Sequence, residues 1–106
     1  MKGFGDLYNT KREMNKKNRF SQEKIKQAIQ SHLQGNISEA ANAYKQLISQ
    51  GCEKCEVYSN YGVILQGLGK LKEAELSLRK AIELKPDYAQ AHYNLGRILS
   101  DLGKLK

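Results

Sequence analysis

The segment YSNYGVILQGLGKLK, residues 58–72, is the most informative part of the chain because a near copy, HYNLGRILSDLGKLK, follows it at residues 92–106. The offset between the two copies is the step from Tyr58 to His92, and both copies end in the identical sequence LGKLK. A period of this length is typical of solenoids, in which each repeat is one supersecondary unit that packs on its neighbours. The chain is therefore predicted to be built from repeated units.

A weaker copy precedes these two. Shifting the chain back by the same offset aligns small and apolar positions, Gly35 with Gly69, Ile37 with Leu71, Ala40 with Ala74 and Ile48 with Ile82. We therefore predict a degenerate first unit at 21–54, a complete second unit at 55–88, and a third unit at 89–106 that contains only its first helix and turn. A chain that stops inside a repeat is expected to be an N-terminal fragment of a longer protein.

Each complete unit is predicted to be a pair of antiparallel helices. Apolar residues recur at steps of three and four, as in the series Tyr58, Tyr61, Leu65 and Leu68. Gly69 suits the left-handed turn after the first helix. Lys85 precedes a proline and therefore avoids the helical region, which ends the second helix. The predicted helices are 22–34, 38–50, 55–68, 72–84 and 89–102.

The second unit resembles the tetratricopeptide repeat (TPR) family at its signature positions, which are Tyr58, Tyr61, Gly62, Leu65, Ala74, Leu78, Ala81 and Pro86. The third unit follows the same pattern with His92 in the place of the aromatic. The first unit departs from it at Lys24, Ser31, Leu47 and Cys52. The resemblance implies an all-α fold, a right-handed superhelical solenoid of antiparallel helix pairs.

The resemblance also implies a function. In this family the first helix of each unit lines a concave groove that receives a peptide or partner protein, and the matching positions here are Ser59, Asn60, Val63, Gln66, Tyr93, Asn94, Arg97 and Asp101. Asparagine amides both donate and accept hydrogen bonds, so Asn60 and Asn94 are suited to a peptide backbone. The alternative is that they only cap or solvate the helix surface. Arg97 is the one cation in this set, which does not favour capture of a C-terminal carboxylate.

Long bacterial proteins of this family often attach such repeats to a transferase domain. The resemblance therefore implies a bacterial source. It also raises an alternative function, an accessory region of a methyl-, sulfo- or glycosyltransferase whose catalytic domain lies outside this chain. The chain itself shows no catalytic motif, since neither His32 nor His92 has a carboxylate or nucleophile at a recognisable spacing. We expect a protein-interaction scaffold and not an enzyme.

The formal net charge of +7 is concentrated at the N-terminus. Residues 1–20 contain six Lys or Arg and two Asp or Glu, a balance of +4, and few large apolar residues. Such a composition predicts a basic, disordered leader. A basic leader can attract nucleic acid through non-specific electrostatics, but a solvated leader is the simpler interpretation, and the sequence does not favour nucleic acid as the partner.

Cys52 and Cys55 have the two-residue spacing of zinc knuckles and dithiol redox centres. A structural zinc site needs about four ligands, and no second pair follows, so we expect free thiols without metal or cofactor. No apolar run reaches the length of a membrane span or a signal-peptide core. The expected location is therefore the cytoplasm.

The third unit leaves apolar residues of its single helix without a second helix to cover them. Solenoids normally end in a polar capping element. The uncovered side therefore indicates either a fragment or a surface for self-association or for another partner.

Overall fold

The computed structural model describes residues 4–104, with side chains at Lys16 and from Arg19 onwards. The described residues form five helices and no strand: α1 (Phe4–Leu33), α2 (Ile37–Ser49), α3 (Cys55–Gly67), α4 (Leu71–Leu84) and α5 (Ala89–Gly103). This confirms the predicted all-α fold. None of these helices is both long enough and apolar enough to cross a membrane.

The helices pack in chain order. Short turns join α1 to α2 and α3 to α4 as antiparallel pairs, and α5 packs on α4 and on α3. The molecule is elongated, measuring 60 × 29 × 19 Å along its principal axes. This arrangement is a solenoid of stacked helix pairs, in which each element contacts mainly its neighbours.

All the helix ends except the start of α1 lie within one residue of where the sequence predicts them. Gly69 has a φ of +79°, the left-handed region that favours glycine, and Gly35 has a φ of +82° at the matching turn of the first unit. The Lys70 amide donates to the Leu65 carbonyl oxygen at 2.9 Å, which satisfies one of the last acceptors of α3. Lys85 is extended before the proline, and α4 ends at Leu84.

Two clusters of apolar side chains form the core. The first joins α1, α2 and α3 and contains Ile25, Ala28, Ala40, Tyr44, Leu47, Val57 and Ile64. The second joins α3, α4 and α5 and contains Leu65, Ala74, Leu78, Ala81, Ala91, Leu95 and Ile98. The partly buried ring of Tyr61 packs against both clusters. Helix α3 is therefore shared between the two halves of the core.

The N-terminal segment differs from the prediction. The other predicted helix ends agree with the structure to within one residue, but α1 begins at Phe4 and so includes most of the predicted disordered leader, 1–20. Residues 1–3 lie outside the described residues. The prediction rests on the lack of apolar residues to bury, yet helix growth needs only an existing helix and residues of good propensity. Lys and Arg, which account for six of residues 1–20, have that propensity.

Candidate functional site

The predicted groove residues lie on two neighbouring helices. Four of them are on α3 and four on α5, and a hydrogen bond joins the two helices directly. The Gln66 amide nitrogen donates to the Asp101 carboxylate at 3.0 Å. We call the side of the molecule that carries these residues the α3–α5 face.

The most accessible groups of the α3–α5 face are an aromatic ring and a cation on α5. The Tyr93 side chain is 67% exposed. The Arg97 guanidinium lies 5.9 Å from the centre of the Tyr93 ring, one helical turn away. At that distance the ring attracts the cation weakly, so the two side chains lie side by side on an open surface.

Asn60 is engaged inside the protein. Its amide nitrogen donates to the Tyr44 hydroxyl of α2 at 3.2 Å. Tyr44 is fully buried, and this burial raises the pKa of its phenol above the usual value of 10.0, although the bond from Asn60 acts in the opposite direction. Asn60 therefore ties α3 to α2, a role that sequence reasoning missed because Tyr44 lies outside the predicted set.

Asn94 is the counterpart of Asn60 in the next repeat but has no such partner. Its side chain is only 6% exposed, and its buried amide nitrogen makes no hydrogen bond. The counterpart of Tyr44 at the same offset is Leu78, which cannot accept a hydrogen bond. A buried donor without an acceptor costs free energy. The comparison of Tyr44 with Leu78 at the repeat offset is the sequence signal that could have identified Asn94 as the unusual member of the pair.

The structure corrects the prediction at Ser59. The family pattern places this residue on the groove surface, but its side chain is fully buried and its hydroxyl has no hydrogen-bond partner. The reason is that α3 packs against α2, α4 and α5, so a central helix has less free surface than the family pattern implies. Four of the remaining predicted residues are half-buried, namely Asn60, Val63, Gln66 and Asp101.

A concave feature lies between α1 and α2. It is an open cleft of about 270 Å³ lined by mainly polar residues, which are Lys24, Gln27, Ser31, Glu39, Asn42, Ala43 and Gln46. Three of these residues, Lys24, Gln27 and Ser31, stand one repeat before Tyr58, Tyr61 and Leu65 of the second unit. The cleft therefore shows where the degenerate first unit has exchanged apolar packing residues for polar ones.

The cysteines contribute to packing. Cys52 packs against the first core cluster and Cys55 against the second, and both thiols are free. Within residues 4–104 no group of three or more His, Cys, Asp or Glu side chains is placed to hold a metal ion.

Comparison with known proteins supports this architecture. Residues 67–103, about a third of the chain, match the family model described as TPR repeat. The TPR2B domain of yeast Sti1 in complex with pHsp70 superposes with a TM-score of 0.74 and 23% identity, over 79% of this chain and 67% of that one. The second TPR of Spaghetti (RPAP3), bound to the HSP90 peptide SRMEEVD, gives a TM-score of 0.74 and 22% identity, over 80% and 79%. No curated protein sequence matches the chain.

The fold is therefore an all-α solenoid of the tetratricopeptide type. The segment that matches the family model begins at Gly67 and includes α4 and α5, which belong to two successive units.

Proposed function

We propose that the chain is a protein-interaction scaffold whose α3–α5 face binds a peptide segment of a partner protein. The observation that carries this proposal is the exposed pair of Tyr93 and Arg97, whose ring and guanidinium lie 5.9 Å apart. Tyrosine and arginine are enriched among the residues that dominate binding energy at protein interfaces.

The chemistry of the face indicates the kind of peptide. Tyr93 offers an apolar ring for a large side chain, and Arg97 offers five donors to a carboxylate or a backbone carbonyl. The Asn94 amide group can rotate about its last side-chain torsion, which has a shallow energy profile. Its nitrogen, which has no partner inside the protein, could then donate a hydrogen bond to the peptide backbone. Asn60 is less available because it is bonded to Tyr44.

Solved structures of the same fold support a peptide ligand. The two similar structures are those of TPR domains in complex with pHsp70 and with the HSP90 peptide SRMEEVD. Arg97 is the one cation among the eight predicted groove residues. We therefore expect binding through side chains and backbone, without dependence on a free C-terminal carboxylate.

The test is selection of peptides from a random displayed library, followed by affinity measurement with variants of the chain. Tyr93→Ala and Arg97→Ala should each weaken the selected peptides about tenfold, which corresponds to about 1.4 kcal/mol. Amidation of the peptide C-terminus should leave the affinity unchanged.

The chain provides matched controls on α4. Leu76 is 69% exposed, as open as Tyr93, and Arg79 has a side chain 54% exposed. Leu76→Ala and Arg79→Ala should bind the peptides like the unchanged chain. Equal losses for the α4 and α5 variants, or no loss for either α5 variant, would refute binding at the α3–α5 face.

We propose binding and not catalysis for these residues. The predicted set has one carboxylate, Asp101, and it is already bonded to Gln66. The accessory role in a longer transferase, the bacterial source, the cytoplasmic location and the status of a fragment stay predictions from the family resemblance.

A further inference from the structure

The cleft between α1 and α2 continues along α1 beyond the residues that line it. Lys24 lies at the end of the cleft away from the turn, and Phe20 and Lys16 precede it at steps of four residues. Residues four apart lie on the same side of a helix. Because α2 has 13 residues and α1 has 30, Lys16 and Phe20 lie where α1 extends past α2. We call the cleft, together with Phe20 and Lys16, the α1–α2 groove.

The charged and aromatic side chains of the α1–α2 groove are available to a ligand. Phe20 is 49% exposed, and Lys16 is also exposed. Lys24 is half-buried, and Glu39 on the opposite wall is exposed. Neither Lys24 nor Glu39 makes an ion pair or a side-chain hydrogen bond with any residue whose side chain the structure describes.

Comparison with the second unit shows that the polar lining is not part of the core. Tyr58 and Tyr61, one repeat after Lys24 and Gln27, pack against the second core cluster. Lys24 and Gln27 belong to neither cluster, yet the first unit still buries its own core, which includes Tyr44. The polar side chains therefore form a surface beside an intact core.

The spacing along the α1–α2 groove matches an extended peptide. From Lys16 to Phe20, and again from Phe20 to Lys24, the helix rises about 6 Å, and alternate side chains of an extended chain are about 7 Å apart. From Lys24 to Ser31, at the turn end of the cleft, the helix rises about 10 Å more. The groove therefore spans about 22 Å, the length of about seven extended residues.

Side-chain amides line the middle of the cleft. Gln27 stands on α1, and Asn42 and Gln46 stand on α2. Each amide both donates and accepts hydrogen bonds, as a peptide backbone requires. The two walls can therefore bond to an extended backbone between them.

The charges indicate which side chains such a peptide carries. Lys16 and Lys24 flank the Phe20 ring along α1, while Glu39 lies in the first turn of α2. A complementary peptide has a carboxylate on each side of an apolar residue and a cation about three residues further along. A nucleic acid strand is negative throughout and would bring phosphates to Glu39.

We propose that the α1–α2 groove binds an extended peptide of the pattern acidic-x-apolar-x-acidic-x-x-basic. The apolar side chain packs on the Phe20 ring, and the two carboxylates reach Lys16 and Lys24. The basic side chain reaches Glu39, and the amides of the cleft hold the backbone. The groove shares no residue with the α3–α5 face, so the two binding sites are separate.

The test is fluorescence anisotropy of two labelled peptides, ESFSESSK and its reverse KSSESFSE, with the 106-residue chain at low salt, where screening is weak. One of the two should bind, and a peptide of the same composition with adjacent glutamates should bind more weakly. Phe20→Ala and Lys24→Glu should each weaken binding about fivefold or more.

The same helix provides matched controls. Lys26 is exposed and lies two residues from Lys24, and so on a different side of α1, while Leu33 is 83% exposed outside the groove. Lys26→Glu and Leu33→Ala should bind the peptide like the unchanged chain. A charge exchange gives the reciprocal test: Lys24→Glu should regain affinity for a peptide in which the glutamate nearer the lysine is itself replaced by lysine.

Four results would overturn the proposal. Neither peptide binds, or Lys24→Glu and Lys26→Glu weaken binding equally, which would mean general electrostatic attraction. Tyr93→Ala abolishes binding, which would place the peptide on the α3–α5 face. A single-stranded oligonucleotide binds more tightly than either peptide and loses affinity on Lys24→Glu but not on Lys26→Glu, which would make nucleic acid the occupant of the groove.

Discussion

Residues at equivalent positions of the two repeats have different energetic roles, and Asn60 and Asn94 show this most directly. Asn60→Ala removes the donor to Tyr44 and leaves a buried hydroxyl without a partner. We expect it to lower the free energy of unfolding by about 1–2 kcal/mol. Asn94→Ala breaks no hydrogen bond and removes a buried donor that has no acceptor, so it should be neutral or stabilising. Urea unfolding of the two variants measures the difference.

The same two substitutions should affect peptide binding in the reverse way: Asn94→Ala should have the larger effect and Asn60→Ala the smaller. Asn94→Ala should weaken a selected peptide if its amide turns to the ligand, while Asn60→Ala should affect mainly stability. If Asn94→Ala destabilised the chain as much as Asn60→Ala, the amide of Asn94 would have a partner in the folded protein and the contrast between the repeats would be wrong.

One buried and two half-buried tyrosines should lower the stability of the chain at alkaline pH. Burial raises the pKa of Tyr44, and burial also raises the pKa of Tyr61 and Tyr88, with smaller contributions from nearby negative charge. The unfolded phenol titrates near pH 10, so above that pH the native state holds more protons than the unfolded state. The free energy of unfolding should therefore be level up to about pH 10 and fall as the pH rises further.

Tyr44→Phe tests the share of one residue. The variant should lose about 1 kcal/mol at pH 7, because Asn60 loses its acceptor. Its unfolding free energy should then fall less steeply than that of the unchanged chain between pH 10 and 11. Parallel curves from urea unfolding across this range would mean that Tyr44 does not contribute to the alkaline loss.

At the scale of helix pairs, α3 and α4 approach each other closely at Gly62. Gly62→Ala places a methyl group 2.8 Å from the Cγ atom of Leu78, a fully buried side chain. Overpacking of this kind costs about 1–3 kcal/mol, which exceeds the gain of about 0.5–1 kcal/mol from replacing a helical glycine with alanine. We expect a net loss of stability in thermal and urea unfolding.

Gly96→Ala is the matched control on α5. Nothing lies within 4 Å of the added carbon atom, so only the gain from helix propensity remains, and the variant should be more stable by about 0.5–1 kcal/mol. A loss of stability at Gly96 would show that this side of α5 is already covered in solution.

The positions of the helices can be predicted from the local sequence, but the burial of individual side chains between helices cannot. The repeat period, Gly69 and Pro86 located the helices to within one residue at most ends. The burial of Ser59 could not be predicted in this way, because it depends on three helices packing around α3. The start of α1 was missed for the opposite reason, since helix growth requires no packing partner.

The candidate site was predicted in part for the same physical reasons. Tyr93 and Arg97 are exposed and lie one helical turn apart within one repeat, so a pattern read along that repeat can bring them together. Their part in binding stays a prediction. The bonds of Asn60 to Tyr44 and of Gln66 to Asp101 cross between elements. A pattern read along one repeat does not contain such bonds, because each partner belongs to a different helix.

Across the full solenoid, stability should be distributed along the chain and not held by one centre. The two core clusters meet at α3, and Tyr61 is a side chain that packs against both, while Tyr58 on the same helix packs only against the second. In a repeat protein, each unit is stabilised by its own packing and by its interface with the next. Substituting Tyr61 therefore tests the interface between the two core clusters, and substituting Tyr58 tests the second cluster alone.

Hydrogen exchange can measure this distribution residue by residue. Tyr58→Ala should lower protection in α4 and α5 and leave α1 and α2 close to the unchanged chain, because it weakens the second cluster alone. Tyr61→Ala should lower protection in both halves and broaden thermal unfolding into two steps, since the halves are then joined less tightly. The loss for each variant should be about 3 kcal/mol or less, as expected for truncation of a partly buried aromatic. A uniform loss across all five helices in both variants would instead show that the chain unfolds as a single cooperative unit.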